Sequence, residues 1–303
     1  MAEQRCDVGR AITLCYETFG SDRDPPMLLI MGLGTQMIGW PDDFCAQLAG
    51  RGFHVVRFDN RDIGRSTRIH GRPPSAGELL RRRIKPVLYD LGDMADDAAG
   101  LLGKLRLAPA HVVGVSMGGM IAQTIAARHP EAVRSLVSIM SMTGSRRSGQ
   151  PAFRIYPYLL RRPPAEREAY VEHMSRMFAI IGSTGLPQDP DRIRDMLARA
   201  YDRGLDPAGP GRQLGAIVAS GNRTPELHTI RAPTLVIHGS KDPMVSPSGG
   251  KATARAIPGA RLMIVEGMGH DLPEAGWPQL IPAIADHAHA ADRAPSGVSL
   301  TAS

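Results

Sequence analysis

Short apolar runs alternating with stretches of helical periodicity set the strongest limit on how this chain folds. The runs are Ile12 to Tyr16, Met27 to Met31, His54 to Asp59, His111 to Val115, Val133 to Met140, Thr234 to His238 and Leu262 to Val265. A strand covered on both faces reads as a continuous apolar run, and parallel neighbours need a crossover between them, usually a helix. Helical stretches stand where such crossovers belong: Asp42 to Ala49, Leu91 to Leu105 and Met117 to Arg128, then Ser248 to Ala256 and Trp277 to His289. Arg231-Ala232-Pro233 and Pro258-Gly259-Ala260 supply turn signals ahead of the last two strands. The expectation is an α/β fold, a mostly parallel sheet with helices on both faces.

The alternation stops between about Gly144 and His228. Pro151, Pro157, Pro163, Pro164, Pro187, Pro190, Pro207 and Pro210 break this stretch into helical pieces such as Glu166 to Ile181 and Arg192 to Tyr201, with no strong strand among them. It reads as a helical insertion at 144–228. A chain of 303 residues has room for one such domain, here 1–290, with a core of 1–143 and 229–290. The residues from 291 to 303 are mostly small or polar and are expected to form a flexible tail.

Gly114-Val115-Ser116-Met117-Gly118 joins the run His111 to Val115 to the helical stretch Met117 to Arg128. A serine on a sharp strand-to-helix turn needs small residues two places to either side, and the turn lifts its hydroxyl to the sheet's carboxyl edge. By itself the five-residue pattern is a weak signal, since a glycine-rich turn with a plain N-cap serine would share it. The strand before it and the helix after it give it weight. A serine nucleophile also needs a neutral imidazole to take its proton and a carboxylate to orient the imidazole. Two later strand ends offer these in chain order. Thr234 to His238 runs into Gly239-Ser240-Lys241-Asp242-Pro243, and Leu262 to Val265 runs into Glu266-Gly267-Met268-Gly269-His270. The run Val133 to Met140 ends in Ser141-Met142-Thr143-Gly144, with no competing carboxylate. Ser116, Asp242 and His270 are the expected nucleophile, acid and base. His54, His111, His129 and His238 are expected to be structural.

A tetrahedral intermediate needs backbone N–H donors aimed at its oxyanion. Met117 follows the nucleophile, and Met31-Gly32-Leu33-Gly34 follows the second strand; the N–H groups of Met117 and Leu33 are the candidates. Asp59 to Ser66 ends a neighbouring strand and reads as structural, with Asp59 and Arg61 bracing loops.

Over about residues 10 to 290 these segments resemble the α/β-hydrolase superfamily. Within it the chain is similar to actinobacterial carboxylesterases of the aclacinomycin methylesterase kind. The likeness rests on Met31-Gly32 with Gly39-Trp40-Pro41, the Asp59-to-Ser66 loop, Gly114 to Gly118, Asp242-Pro243 and Gly267 to Pro273. It implies an α/β-hydrolase fold with a helical cap over the site, the triad roles on Ser116, Asp242 and His270, and the oxyanion roles on Leu33 and Met117. Many relatives have His-Gly where Met31-Gly32 stands, so an oxyanion helper histidine is missing here. A serine at 116 disfavours epoxide hydrolases and dehalogenases, which need a carboxylate at that position.

Met31, Gly32, Met142, Met244 and Met268 fall at strand ends near these residues. The thioethers would line an adaptable apolar substrate pocket or fill core gaps. Trp40 would stack on a flat substrate or anchor a helix. Arg146, Arg147, Arg154, Arg161, Arg162 and Arg167 form a solvated basic face or a guide for anionic substrates. The net charge is +6, carried almost wholly by scattered arginines, and the aromatic content is only 5%, which argues against nucleic-acid binding. Met1 to Gly20 has no long apolar core, and Met27 to Leu33 is too short to span a bilayer. Cys6, Cys15 and Cys45 form no metal-ligand or disulfide pattern. Cys6 and Cys15 would face each other across a hairpin near Gly9-Arg10, and buried reduced thiols are the expectation.

The reading is therefore a cytoplasmic serine esterase that needs no cofactor or metal and cleaves a small apolar carboxylic ester, a methyl or small-acyl ester. The same three residues would also serve a lactonase, a C–C bond hydrolase or a cofactor-free perhydrolase, and a non-catalytic ligand-binding protein on this scaffold is a further alternative. Nothing in the sequence signals an oligomeric state.

Overall fold

A computed structural model describes residues 2–155 and 163–293. Pro157, Arg161, Arg162 and the tail from 294 onward lie outside the described residues. The strands are β1 (Gln4–Gly9), β2 (Ile12–Phe19), β3 (Pro26–Ile30), β4 (His54–Phe58), β5 (Ala110–Val115), β6 (Val133–Ile139), β7 (Thr234–Gly239) and β8 (Arg261–Val265). They form one sheet in the order β1-β2-β4-β3-β5-β6-β7-β8. Neighbours from β4 through β8 pair in parallel, while β2 runs antiparallel to both β1 and β4.

The helices among the described residues are α1 (Asp42–Ala49), α2 (Ala76–Arg81), α3 (Leu91–Leu105), α4 (Met117–Arg128), α5 (Arg167–Ile181), α6 (Pro190–Arg203), α7 (Gly209–Ser220), α8 (Thr224–Leu227), α9 (Ser248–Ala256) and α10 (Trp277–Arg293). The strand pleat explains the layering, because alternate residues point to opposite faces. Leu28, Ile30, Val56, Phe58 and Val112 pack with Met94, Leu101 and Ile121 of α3 and α4. Met27, Leu29, Val55, Val113 and Val115 pack with Phe44 of α1 and Leu280 and Ile284 of α10. Two apolar layers thus cover the two faces of the sheet, as the continuous runs require.

From β3 the chain steps outward to β4 and then returns across β3 to β5. The strand order reverses there, between β3 and β5, and the carboxyl ends at such a switch point are where open α/β sheets place their ligands. The loop after β3 carries Gly32 to Gly34, and the turn after β5 carries Ser116.

The insertion between β6 and β7 is helical, with α5 to α8 and no strand among its described residues. Two of its helix starts are set by local chemistry: the carboxylates of Glu166 and Asp189 accept the first free N–H groups of α5 and α6.

Several features depart from the periodicity. No apolar run precedes Ile12, yet Gln4–Gly9 forms β1, an edge strand whose residues are exposed or half-exposed. The hairpin turns at Gly9, as expected, but Cys6 pairs with Leu14, and Cys15 with Arg5. All the cysteines are free; Cys15 and Cys45 are buried, with thiols pushed up to about 12 by desolvation, whereas Cys6 is half-exposed. The last helix continues to Arg293, so residues 291–293 are helical rather than part of a tail. Among the described residues no helix is long and apolar enough to cross a membrane.

Candidate active site

Ser116 sits between β5 and α4 with φ 56 and ψ −118, a left-handed conformation that costs a non-glycine residue of order 1–3 kcal/mol. Its surroundings impose that geometry. A Cβ on Gly114 would lie 2.1 Å from the Gly118 carbonyl oxygen, and one on Gly118 would lie 2.1 Å from that of Ile30. Both contacts are with backbone, which cannot step aside, so only glycine lets α4 come this close to β3 and β5. The Ser116 N–H donates to the Ile139 carbonyl at 2.9 Å, anchoring the turn to β6.

Asp242 and His270 reach the same point from the ends of β7 and β8. His270 Nε2 lies 3.0 Å from Ser116 Oγ, and its Nδ1 lies 2.7 Å from Asp242 Oδ2. A carboxylate only accepts, so Nδ1 carries the proton and Nε2 is left as the acceptor for the serine hydroxyl. Asp242 is itself held: its Oδ1 accepts from the N–H groups of Met244 and Val245 at 2.9 and 2.8 Å. Burial would raise the Asp242 carboxyl, but the charge of His270 and hydrogen bonds from His238, His270 and the Val245 N–H outweigh it. Together they hold the group at about 2. It therefore stays ionised throughout the neutral range. His238, expected to be structural, donates from Nε2 to the Val245 carbonyl at 2.8 Å, with the same nitrogen 3.4 Å from Asp242 Oδ2. Asp271 turns away from Ser116 and accepts from Ser183 Oγ and Gln188 Nε2.

The loop after β3 also stands beside the hydroxyl. A Cβ on Gly32 would be 3.2 Å from Ser116 Cβ, so this loop lies directly beside the serine. Leu33 follows it, and Met117 opens α4, whose N-terminal end favours negative charge. No acceptor among the described residues takes the N–H of Leu33 or of Met117.

The residues proposed as a pocket divide. Met142 and Met244 are half-buried on the loops after β6 and β7. Trp40 and Met268 are 0% exposed and belong to the core between the sheet and α1 and α10. Trp40 packs on Phe44, so it anchors that helix and offers no face to a substrate. Met31 joins the same core, its Cε against Gly39. Gap-filling has won over pocket-lining at these positions, because their side chains leave the strand ends toward the packed face.

Other contacts carry no signature in the sequence. Asn60 Nδ2 donates to the Met31 carbonyl at 3.0 Å. Gln213 of α7 accepts from the Gly34 N–H and donates to the Arg61 carbonyl, both at 2.9 Å. Ser183 Oγ accepts from the Gly269 N–H at 2.9 Å, and the His270 N–H donates to the Ile181 carbonyl at 2.7 Å. The turn from Asp59 to Asp62 is a brace, as read from the sequence. Asp59 accepts from the Met37 and Arg65 N–H groups and binds Arg203, while Arg61 pairs with Asp97.

A mostly parallel sheet with a strained serine at the sheet's switch point is the architecture of the α/β hydrolases. That fold family matches residues 25–276, and the chain belongs to it. Rhodomycin D methylesterases are among its relatives. The one from Streptomyces sp. (strain C5) is 31% identical over 92% of this chain and 96% of its own length. The one from Streptomyces peucetius is 30% identical over the same shares. Among solved structures, an enol-lactonase from Burkholderia xenovorans superposes with a TM-score of 0.67 at 23% identity, covering 95% of this chain and 98% of its own. At that identity the likeness speaks to the fold alone.

Proposed function

We propose that this protein is a serine esterase that cleaves a small apolar carboxylic ester through an acyl-enzyme on Ser116. The observation that carries the reading is the imidazole of His270, which bridges Ser116 Oγ at 3.0 Å and Asp242 Oδ2 at 2.7 Å. In the first step Nε2 takes the hydroxyl proton as Oγ attacks the ester carbonyl, and Asp242 steadies the imidazolium. The oxyanion falls between the Leu33 and Met117 N–H groups. Collapse expels the alcohol, which takes the proton from Nε2. Water, deprotonated by the same nitrogen, then releases the acid and restores the serine. The relatives named as methylesterases favour a methyl ester, with methanol as the leaving group. The half-buried Met142 and Met244, together with Gly32 beside the serine, would face the acyl part of the substrate. A cytoplasmic location goes with this reading.

Hydrolysis of a chromogenic short-chain ester and of a panel of methyl esters, by the wild type and by Ser116→Ala, tests it. Losing the serine should lower kcat by on the order of a thousandfold or more while the melting temperature stays near that of the wild type. Equal rates in the two proteins would remove the esterase reading. Tight binding without turnover in either would favour a ligand-binding protein on this scaffold.

A further inference from the structure

The loop that carries the Leu33 N–H is fastened at both ends by side chains. Asn60 holds the Met31 carbonyl, and Gln213 holds the Gly34 N–H. The Gly32–Leu33 peptide lies between these two ties. Asn60 belongs to the sheet domain, whereas Gln213 comes from the cap, 179 residues beyond Gly34. Its side chain is fully buried, and both halves of its amide are used: Oε1 for Gly34 N–H and Nε2 for the Arg61 carbonyl. Flipping the amide would set NH2 against N–H and oxygen against oxygen, so its orientation is fixed by its partners.

The contact around it is close enough to transmit position. A Cβ on Gly209 would lie 2.2 Å from the Asp62 carbonyl oxygen, and one on Gly34 would lie 3.3 Å from Pro210 Cβ. Arg212, one residue before, grips Asp62 through Nε at 3.0 Å and Nη2 at 2.7 Å. The first turn of α7 is thus seated on both the loop after β3 and the Asp59-to-Asp62 turn. A lid that swings freely would not have its first turn bonded to the loop it uncovers.

We propose that Gln213 is a positioning residue for the oxyanion site: through the Gly34 N–H it sets the place of the Leu33 N–H, so that the cap completes the hole. The inference rests on the esterase reading above and adds a cap residue to its machinery. Gln213 touches no reacting atom. Its loss should therefore weaken stabilisation of the transition state rather than binding of the ground state.

A thiono ester, with sulfur in place of the carbonyl oxygen, draws little from backbone donors placed for an oxyanion, because sulfur is a larger and weaker acceptor. The ratio of kcat/KM for an oxo ester to that for its thiono counterpart therefore reads the donors alone, since loss of the base affects both substrates. In Gln213→Met, kcat for the oxo ester should fall roughly 10- to 100-fold with KM within about threefold, and the ratio should fall with it. Gln213→Glu keeps the volume. Once protonated, its carboxyl both accepts from Gly34 and donates to Arg61, so its ratio should climb back toward the wild-type value as the pH is lowered. Ser183→Ala, which loosens the cap from the His270 loop instead, should lose rate with the ratio unchanged.

A wild-type ratio in folded Gln213→Met, or in Gln213→Glu with its carboxyl ionised, would overturn the proposal, and so would an equal fall in Ser183→Ala. Absence of Ser116-dependent ester cleavage in the wild type is a different failure, that of the esterase reading. Labelling of Ser116 by a fluorophosphonate then decides the Gln213 question, because the phosphoryl oxygen uses the same donors. Slower labelling in Gln213→Met than in the wild type supports the positioning role, and a wild-type labelling rate in that variant overturns it.

Discussion

On the sheet side of the site, Ser116 and Asp242 stand where strands end between two thick apolar layers, and backbone contacts at Gly114 and Gly118 dictate the elbow. On the cap side the apolar cluster between α5 and α6 is small, with Tyr170, Val171 and Leu197 buried and Met174, Phe178 and Ile193 half-buried around them, while Ala216 and Leu227 join the core of the sheet domain. The cap is also held by polar ties, Arg203 to Asp59, Arg212 to Asp62, Gln213 to Gly34 and Arg61, and Ser183 to Gly269. Apolar burial is non-directional and tolerates small shifts, whereas hydrogen-bonded ion pairs have fixed geometry. The sheet side thus rests on apolar burial, and the polar ties of the cap add placement.

The largest effect should come from the deepest of those ties. Asp62 is fully buried and accepts from Arg212 and, at 2.6 Å, from the Tyr89 hydroxyl. Arg212→Met leaves its charge unbalanced, and urea denaturation should show a loss of about 3–5 kcal/mol, part of which returns in Arg212→Met with Asp62→Asn. A loss below about 1 kcal/mol would mean that the cap does not depend on polar ties.

A smaller effect belongs to the foot of the sheet. His111, at the start of β5, is buried against Phe53, with Nδ1 2.8 Å from Ser135 Oγ. Burial lowers its pKa from 6.5 to about 4, although Asp292 pulls the other way. The unfolded chain therefore binds a proton between these values that the folded chain refuses. Stability from this group is whole above pH 6.5 and should decline by about 3 kcal/mol as the pH falls to 4. His111→Gln should flatten that part of the stability–pH curve; an identical curve in the variant would place the acid sensitivity elsewhere.

The smallest effect is expected at the outer face of the cap. Arg167 pairs with Asp202 across α5 and α6 at 2.9 Å, and both side chains are well exposed. Arg167→Ala should leave the urea midpoint almost unchanged, and any small loss should vanish at high salt. A larger loss would show that even the exposed ion pairs hold the cap together.

Much of the candidate site is legible in the sequence because each member of the proposed triad announces itself locally. Ser116 has its flanking glycines, Asp242 follows a strand with Pro243 behind it, and His270 follows Gly-Met-Gly. The Asp59-to-Asp62 brace was legible for a similar reason, as a charged segment at a strand end. Gln213 and Ser183 have no such context. Each lies in the insertion, far along the chain from its partner, and a lone Gln or Ser in a helical or turn stretch looks like any solvated residue. Trp40 and Met268 stood near the right strand ends, but whether they face the site or the packed layer depends on the direction of a side chain. The edge strand β1 escaped for want of an apolar run, since its pairing with β2 needs only backbone groups.

The order of strands and helices, the elbow and the succession of serine, carboxylate and histidine were written in the chain itself, since periodicity and turn chemistry act over a few residues. Tertiary structure alone decided which cap side chains reach the loops after β3 and β8, and which methionines became core. Those outcomes depend on how separately formed layers meet, and a hydrogen bond between residues 34 and 213 exists only once α7 has been packed against the sheet domain.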